Sequence, residues 1–197
     1  LKTLVVGSYG GDMWMCIDNQ QWKMIQKPPS SFKYYSACVS TKGFIITGGR
    51  NGNGVTQRDC YEYDAENHQW QTLPEMNNAR CIHSSILINN QLHIIGGYGD
   101  GDSRLKSVET LDLTSLQWRN HSTLPQSVCL PYVVSVSNNL FVLGGCNDDD
   151  CINDVYQYDS IRGVWQKKAS MPEECTCGSA VSFGEDIYVV GGEENCC

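Results

Sequence analysis

Paired glycines recur at Gly48-Gly49, Gly96-Gly97, Gly144-Gly145 and Gly191-Gly192, stepping by 48, 48 and 47 residues. Trp22, Trp70, Trp118 and Trp165 keep the same steps, each 26 residues ahead of the next glycine pair. Two series locked in phase along the chain point to a repeat architecture, in which each unit buries its faces against neighbouring copies. Asp64, Asp112 and Asp159 stand six residues before their tryptophans and follow Tyr63, Leu111 and Tyr158. A degenerate unit stands at the N-terminus as Leu4-Val5-Val6-Gly7-Ser8, with Asp18 only four residues before Trp22.

Within a unit the turn signals lie too close together for helices. Ser84 to Ile88 is an apolar run, Asn89-Asn90 a two-residue turn, and Gln91 to Ile95 a second run ending on the glycine pair. A polar loop leads to Val108 to Leu111, and a Thr/Ser turn to a fourth run from Trp118. These are strands a, b, c and d. The consecutive apolar residues of a and b suit strands covered on both faces, and the more polar d belongs outside. Such sheets cannot bury their own faces, so the fold class is all-β: a propeller of four-stranded antiparallel blades, one per repeat. Blades are expected at about 1–27, 28–75, 76–123, 124–170 and 171–197, the first and last partial. Glycine lets the backbone turn and be approached closely where strand b ends. Tyr63, Tyr158 and the tryptophans are expected as wedges between blades.

Gly-Gly, then Tyr-Asp some 14 residues on, then Trp six residues later, then a segment such as Leu73-Pro74-Glu75-Met76-Asn77-Asn78-Ala79-Arg80, resembles the kelch repeat. The likeness covers essentially the whole chain and is greatest to the kelch-like subfamily, whose members join a BTB domain to a kelch propeller. One unit keeps the Met-x-x-x-Arg ending; Phe32, Val128 and Cys175 stand at the equivalents of Arg80. The resemblance implies six blades, so a chain with about four reads as an incomplete propeller. Its start at Leu1 also suggests a fragment.

Composition narrows the partners. With 14 Lys+Arg against 22 Asp+Glu, the net charge of −8 opposes nucleic acid and anionic membrane surfaces. No apolar run approaches a membrane span and no secretory signal opens the chain, so a cytoplasmic location is expected. The 11 cysteines are odd in number, in a chain long enough to build its own core, and read as mostly reduced thiols. One sequon, Asn120-His121-Ser122, is weak support for secretion. No phosphate loop or Gly-x-Ser-x-Gly elbow is present, and the four histidines occupy unrelated repeat positions. Asp148-Asp149-Asp150 lacks calcium-loop spacing. No enzyme activity, cofactor or metal is expected.

In a meander the ab and cd turns lie at one end of each blade, and the bc loops and da connections at the other. Variation concentrates in the bc loops, Arg50 to Asp59, Tyr98 to Ser107 and Cys146 to Asp154, so recognition is expected there. Cys81, Cys129, Cys146, Cys151, Cys175, Cys177, Cys196 and Cys197 gather at the same end, and Cys38 is expected in the core. The resemblance places peptide contacts just after the glycine pair and where the da connection enters strand a. Those positions are Arg50, Asn51, Tyr98 and Asn147, with Tyr35, Ser36, His83, Ser84, Tyr132 and Ser179. It implies the substrate-recognition propeller of a cullin-3 ubiquitin-ligase adaptor, cullin-3 being engaged through a BTB domain outside this chain. The alternatives are an actin-binding cytoskeletal scaffold and, third, a galactose-oxidase-like copper enzyme, whose Tyr, Cys and His cluster cannot be assembled from these positions.

Overall fold

The computed structural model describes residues 13–17, 21–30 and 33–192. The expected strand at Leu4–Ser8, Asp18 and the Cys196-Cys197 pair lie outside them. Three four-stranded antiparallel meanders dominate: β3(Ser36–Val39) to β6(Gln69–Leu73), β7(Ser84–Ile88) to β10(Gln117–Asn120), and β11(Tyr132–Val136) to β14(Val164–Lys167). The intervening strands are β4(Gly43–Thr47), β5(Cys60–Asp64), β8(Gln91–Ile95), β9(Val108–Asp112), β12(Asn139–Leu143) and β13(Val155–Asp159). Two two-stranded sheets flank them, β1(Met13–Ile17) with β2(Gln21–Ile25) and β15(Ser179–Phe183) with β16(Asp186–Val190). By repeat position the first pair is the c–d half of a blade and the second the a–b half.

The sheets fan about their first strands: β3 packs beside β7, β7 beside β11 and β11 beside β15. Register repeats with the sequence. Thr47 faces Cys60, Ile95 faces Val108 and Leu143 faces Val155 across the b–c ladders. At Asn89-Asn90 and Ser137-Asn138 both turn residues have positive φ, the twist that joins antiparallel strands most tightly. The periodic aspartates close the cd turns: Asp64, Asp112 and Asp159 each accept two backbone N–H bonds from the second and third residues downstream.

The core lies between sheets. Ile45, Cys60, Leu73 and Met76 of one sheet and its outgoing connection meet Leu92, Ile94 and Leu111 of the next, with Cys38 and Trp118 packed against them. One repeat on, Ile95, Val108, Leu124 and Val128 meet Val142 and Tyr156, with Trp165 alongside. Each inner tryptophan also reaches back one unit: Trp70, Trp118 and Trp165 donate Nε1–H to the carbonyls of Gln26, Pro74 and Ser122 at 2.7, 3.0 and 2.9 Å. Tyr63 and Tyr158 pack at a tilt against Trp70 and Trp165, with ring centroids 5.0 and 5.2 Å apart.

The glycine pairs are where the da connection crosses strand b. The N–H groups of Gly49, Gly97 and Gly145 donate to the carbonyls of Arg80, Val128 and Cys175. A Cβ on Gly48, Gly96 or Gly144 would sit 2.2, 2.3 or 2.5 Å from those same carbonyl oxygens, and all three residues have positive φ. Gly191 and Gly192 also have positive φ. No helix among the described residues is long and apolar enough to cross a membrane.

Buried histidines bind the sheets internally. His93 Nδ1 lies 2.9 Å from Thr110 Oγ1, its ring edge-on to His121, which in turn meets Tyr158 of the next sheet. Burial, then the neighbouring His121, pushes His93 down to about 4. Burial, then Arg80, pushes His83 down to about 3. The unfolded chain therefore takes up protons below pH 6.5 that the folded rings refuse, and stability falls as pH drops from there towards 4. His93 alone should cost about 3 kcal/mol by pH 4. Thermal melts between pH 7.5 and 4.5 should show this slope, and His93→Gln should flatten it; an unchanged slope in the variant would refute the assignment.

Candidate functional site

The bc loops and da connections form one face, and a short bridge pattern repeats across it. Arg50 is bracketed by Lys33 and Thr56, Tyr98 by Cys81 and Arg104, and Cys146 by Cys129 and Cys151. The residue after each glycine pair is thus pinned between the connection entering its own blade and the return of its own loop. Consecutive loops are tied by charge: Arg50 pairs with Asp102 of the next loop, and Arg104 with Asp148 of the one after, at 3.7 Å. Tyr98 accepts a 3.0 Å bond from Arg104 Nε and lies under the guanidinium.

The sequence-expected residues divide by depth. Arg50, Asn51, Tyr98 and Asn147 are half-buried on the face and Ser179 is exposed. Asn51 and Asn147 shape their loops, Asn51 Oδ1 accepting from Asn53 and Val55 and Asn147 Oδ1 from Asp149 and Asp150. The remaining residues join neighbouring blades. Ser36 Oγ meets Ser85 Oγ at 2.8 Å, and Ser84 Oγ donates to the Pro131 carbonyl at 2.5 Å. His83 is buried, with Nε2 2.8 Å from Thr47 Oγ1. Tyr132 is buried too, its hydroxyl receiving the Gly178 N–H and meeting Cys175 Sγ at 3.2 Å. Tyr35 is half-buried against the first inter-sheet cluster.

Two clefts open between blades on this face. One, of about 730 Å³, is lined by Thr56, Arg58, Glu75, Ala79, Gly99 and Asp100 among others. The second, of about 420 Å³, is lined by Arg104, Lys106, Ser127, Asn147, Asp148 and Asp149 among others. The lining positions correspond across one repeat: Thr56 to Arg104, Arg58 to Lys106, Ala79 to Ser127, Gly99 to Asn147 and Asp100 to Asp148. Arg58 lines the first cleft with Asp59, Glu75 and Asp100, and Arg104 and Lys106 line the second with Asp148 and Asp149. Arg58 shares its charge with Glu75 at 3.2 Å, whereas Lys106 has no ion-pair partner among the described residues. Arg58 and Lys106 stand one 48-residue step apart in the bc loops, a correspondence that the repeat itself discloses.

Among the described cysteines of this face, Cys81, Cys129, Cys146 and Cys151 are buried, Cys175 is half-buried and Cys177 is exposed. Cys129, Cys146 and Cys151 pack together with Ile82 and Tyr98. Burial, offset by Arg50, raises the Cys81 thiol, and burial raises Cys38 to about 11. Thiols held protonated in this way are poor nucleophiles and poor metal ligands.

A family model described as the KLHDC2/KLHL20/DRC7 Kelch-repeats domain matches residues 7–197. No curated protein matches.

Proposed function

Since the chain belongs to the KLHDC2/KLHL20/DRC7 kelch-repeat family, we propose that it is a non-enzymatic recognition module that holds a partner segment across its bc/da face. The observation carrying this reading is the pair of clefts one repeat apart, each lined by both cationic and acidic side chains. Such a series suits an extended peptide, whose carboxylates meet Arg58 and Lys106 and whose basic groups meet Asp100 and Asp148. Arg50 contributes by tying one loop to the next through Asp102. The fuller role is that of a substrate-recognition propeller for a cullin-3 ubiquitin ligase, with partners that are ubiquitylation substrates; the kelch-like character of Leu73 to Arg80 supports it.

Proximity labelling in cells with the full-length protein, alongside an Arg58→Glu/Lys106→Glu form, tests the reading. Partners recovered by the wild type should fall at least about tenfold in the variant, the equivalent of about 1.4 kcal/mol of binding, at an unchanged melting temperature. Cullin-3 should be recovered by both. Equal recovery of partners would reject the cleft face, and absence of cullin-3 would reject the ligase role.

A further inference from the structure

One residue in each da connection holds a left-handed backbone without being glycine. Tyr34, Ile82, Leu130 and Cys177 have φ of +62, +54, +51 and +60°, step by 48, 48 and 47 residues, and stand two residues ahead of β3, β7, β11 and β15. Glycine takes that φ without penalty, whereas isoleucine, branched at Cβ, is among the residues least suited to it. A side chain retained at a strained position in every connection points to a use for the side chain itself.

The main chain at this position is already committed. The Ile82 N–H donates to the Tyr34 carbonyl at 2.9 Å and the Leu130 N–H to the Ile82 carbonyl at 3.0 Å, linking each connection to the next beside the packed first strands. Ile82 and Leu130 each lie between two complete four-stranded sheets, and both are half-buried. Ile82 packs, with Tyr98, against the buried Cys129, Cys146 and Cys151, which fixes where it stands. What remains on offer to a visitor is apolar side chain.

Each connection also runs from a cleft to this position. Ala79 lines the first cleft and Ser127 the second. Ile82 and Leu130 follow three residues later, no more than about 10 Å along the chain. We infer that Ile82 and Leu130 form an apolar collar that receives one bulky apolar side chain of the partner segment, about three residues from a charged side chain seated in a cleft. This rests on the cleft reading proposed above and adds the apolar half of the recognised motif. An extended segment advances about 3.3 Å per residue, so three residues cover the distance from cleft to collar. A broad apolar surface laid on the same face would bury Lys106 without a partner, at a cost that a single inserted side chain avoids.

A random dodecapeptide library displayed on phage, selected on the immobilised full-length protein, tests the inference. The wild type should enrich peptides with a Leu, Met or Phe about three residues from a charged one. Ile82→Asn/Leu130→Asn, whose new side chains tolerate left-handed backbone, should lose the apolar enrichment about tenfold or more, the scale of burying one such side chain, and keep the charge preference at unchanged circular dichroism. Leu130→Gly removes a side chain that lies outside the inter-sheet clusters described above and relieves its strain, so it should lose the same preference while staying folded even where the double variant does not. Arg58→Glu/Lys106→Glu should do the reverse, losing the charge preference and keeping the apolar one. A wild-type consensus of charges alone overturns the collar and leaves the clefts standing, as does apolar enrichment that survives both collar variants. A library with no enrichment on the wild type overturns the collar and the cleft reading together.

Discussion

Arg80→Ala and Glu109→Ala should each remove about 3–5 kcal/mol of folding stability, because each leaves a charge buried without its partner. Both side chains are fully buried and ion-paired. Arg80 also donates to the carbonyls of Gly96 and Ser107 at 2.9 and 3.2 Å, and Glu109 accepts the backbone N–H groups of Asn77 and Asn78. The next unit solves the same packing problem without charge. Val128 stands where Arg80 would, Tyr156 where Glu109 would and Pro125, which has no N–H, where Asn77 would, and Val128 and Tyr156 share one apolar cluster. Arg80→Val with Glu109→Tyr should therefore recover part of either single loss, and adding Asn77→Pro should recover more by removing a stranded donor. Urea unfolding of the set measures this; a double variant no better than the singles would show that the charged pair is not interchangeable with its apolar counterpart.

Gly96→Ala should cost about 2–5 kcal/mol, combining left-handed backbone strain with a collision. Its φ is +63°, and the added Cβ would lie 2.3 Å from the Val128 carbonyl oxygen. Gly191 occupies the same repeat position with φ of +68° and nothing within 4 Å of a Cβ. Gly191→Ala should therefore show the backbone part alone, about 1–2 kcal/mol. Equal losses in the two variants, measured by the same unfolding curves, would show that the close approach of the connection contributes nothing.

What the sequence made legible was what periodicity enforces. The glycine pairs and tryptophans answer to a backbone crossing and an indole reach that recur at three successive junctions. The strands Ser84–Ile88 and Gln91–Ile95 followed because runs of apolar residues bounded by Asn-Asn admit little else. The periodic aspartates were visible, but their work in closing the cd turns is a main-chain matter that spacing does not disclose. The face was harder. His83 and Tyr132 sit at positions that the family resemblance makes contact points, yet each is folded inward against the adjoining blade. Depth of that kind depends on where the neighbouring connection runs. Arg50 is likewise a contact position implied by the resemblance, and Asp102, which engages it, is 52 residues away in sequence.

The carbonyl that each connection lends to the glycine pair of the blade before it belongs to the main chain, and any amino acid supplies one. Arg80, Val128 and Cys175 differ in charge, size and chemistry, yet their carbonyls make the same bond. The units can therefore differ at that position and stay fastened, and the Met-x-x-x-Arg ending of one unit need not recur in the others for the sheets to hold together.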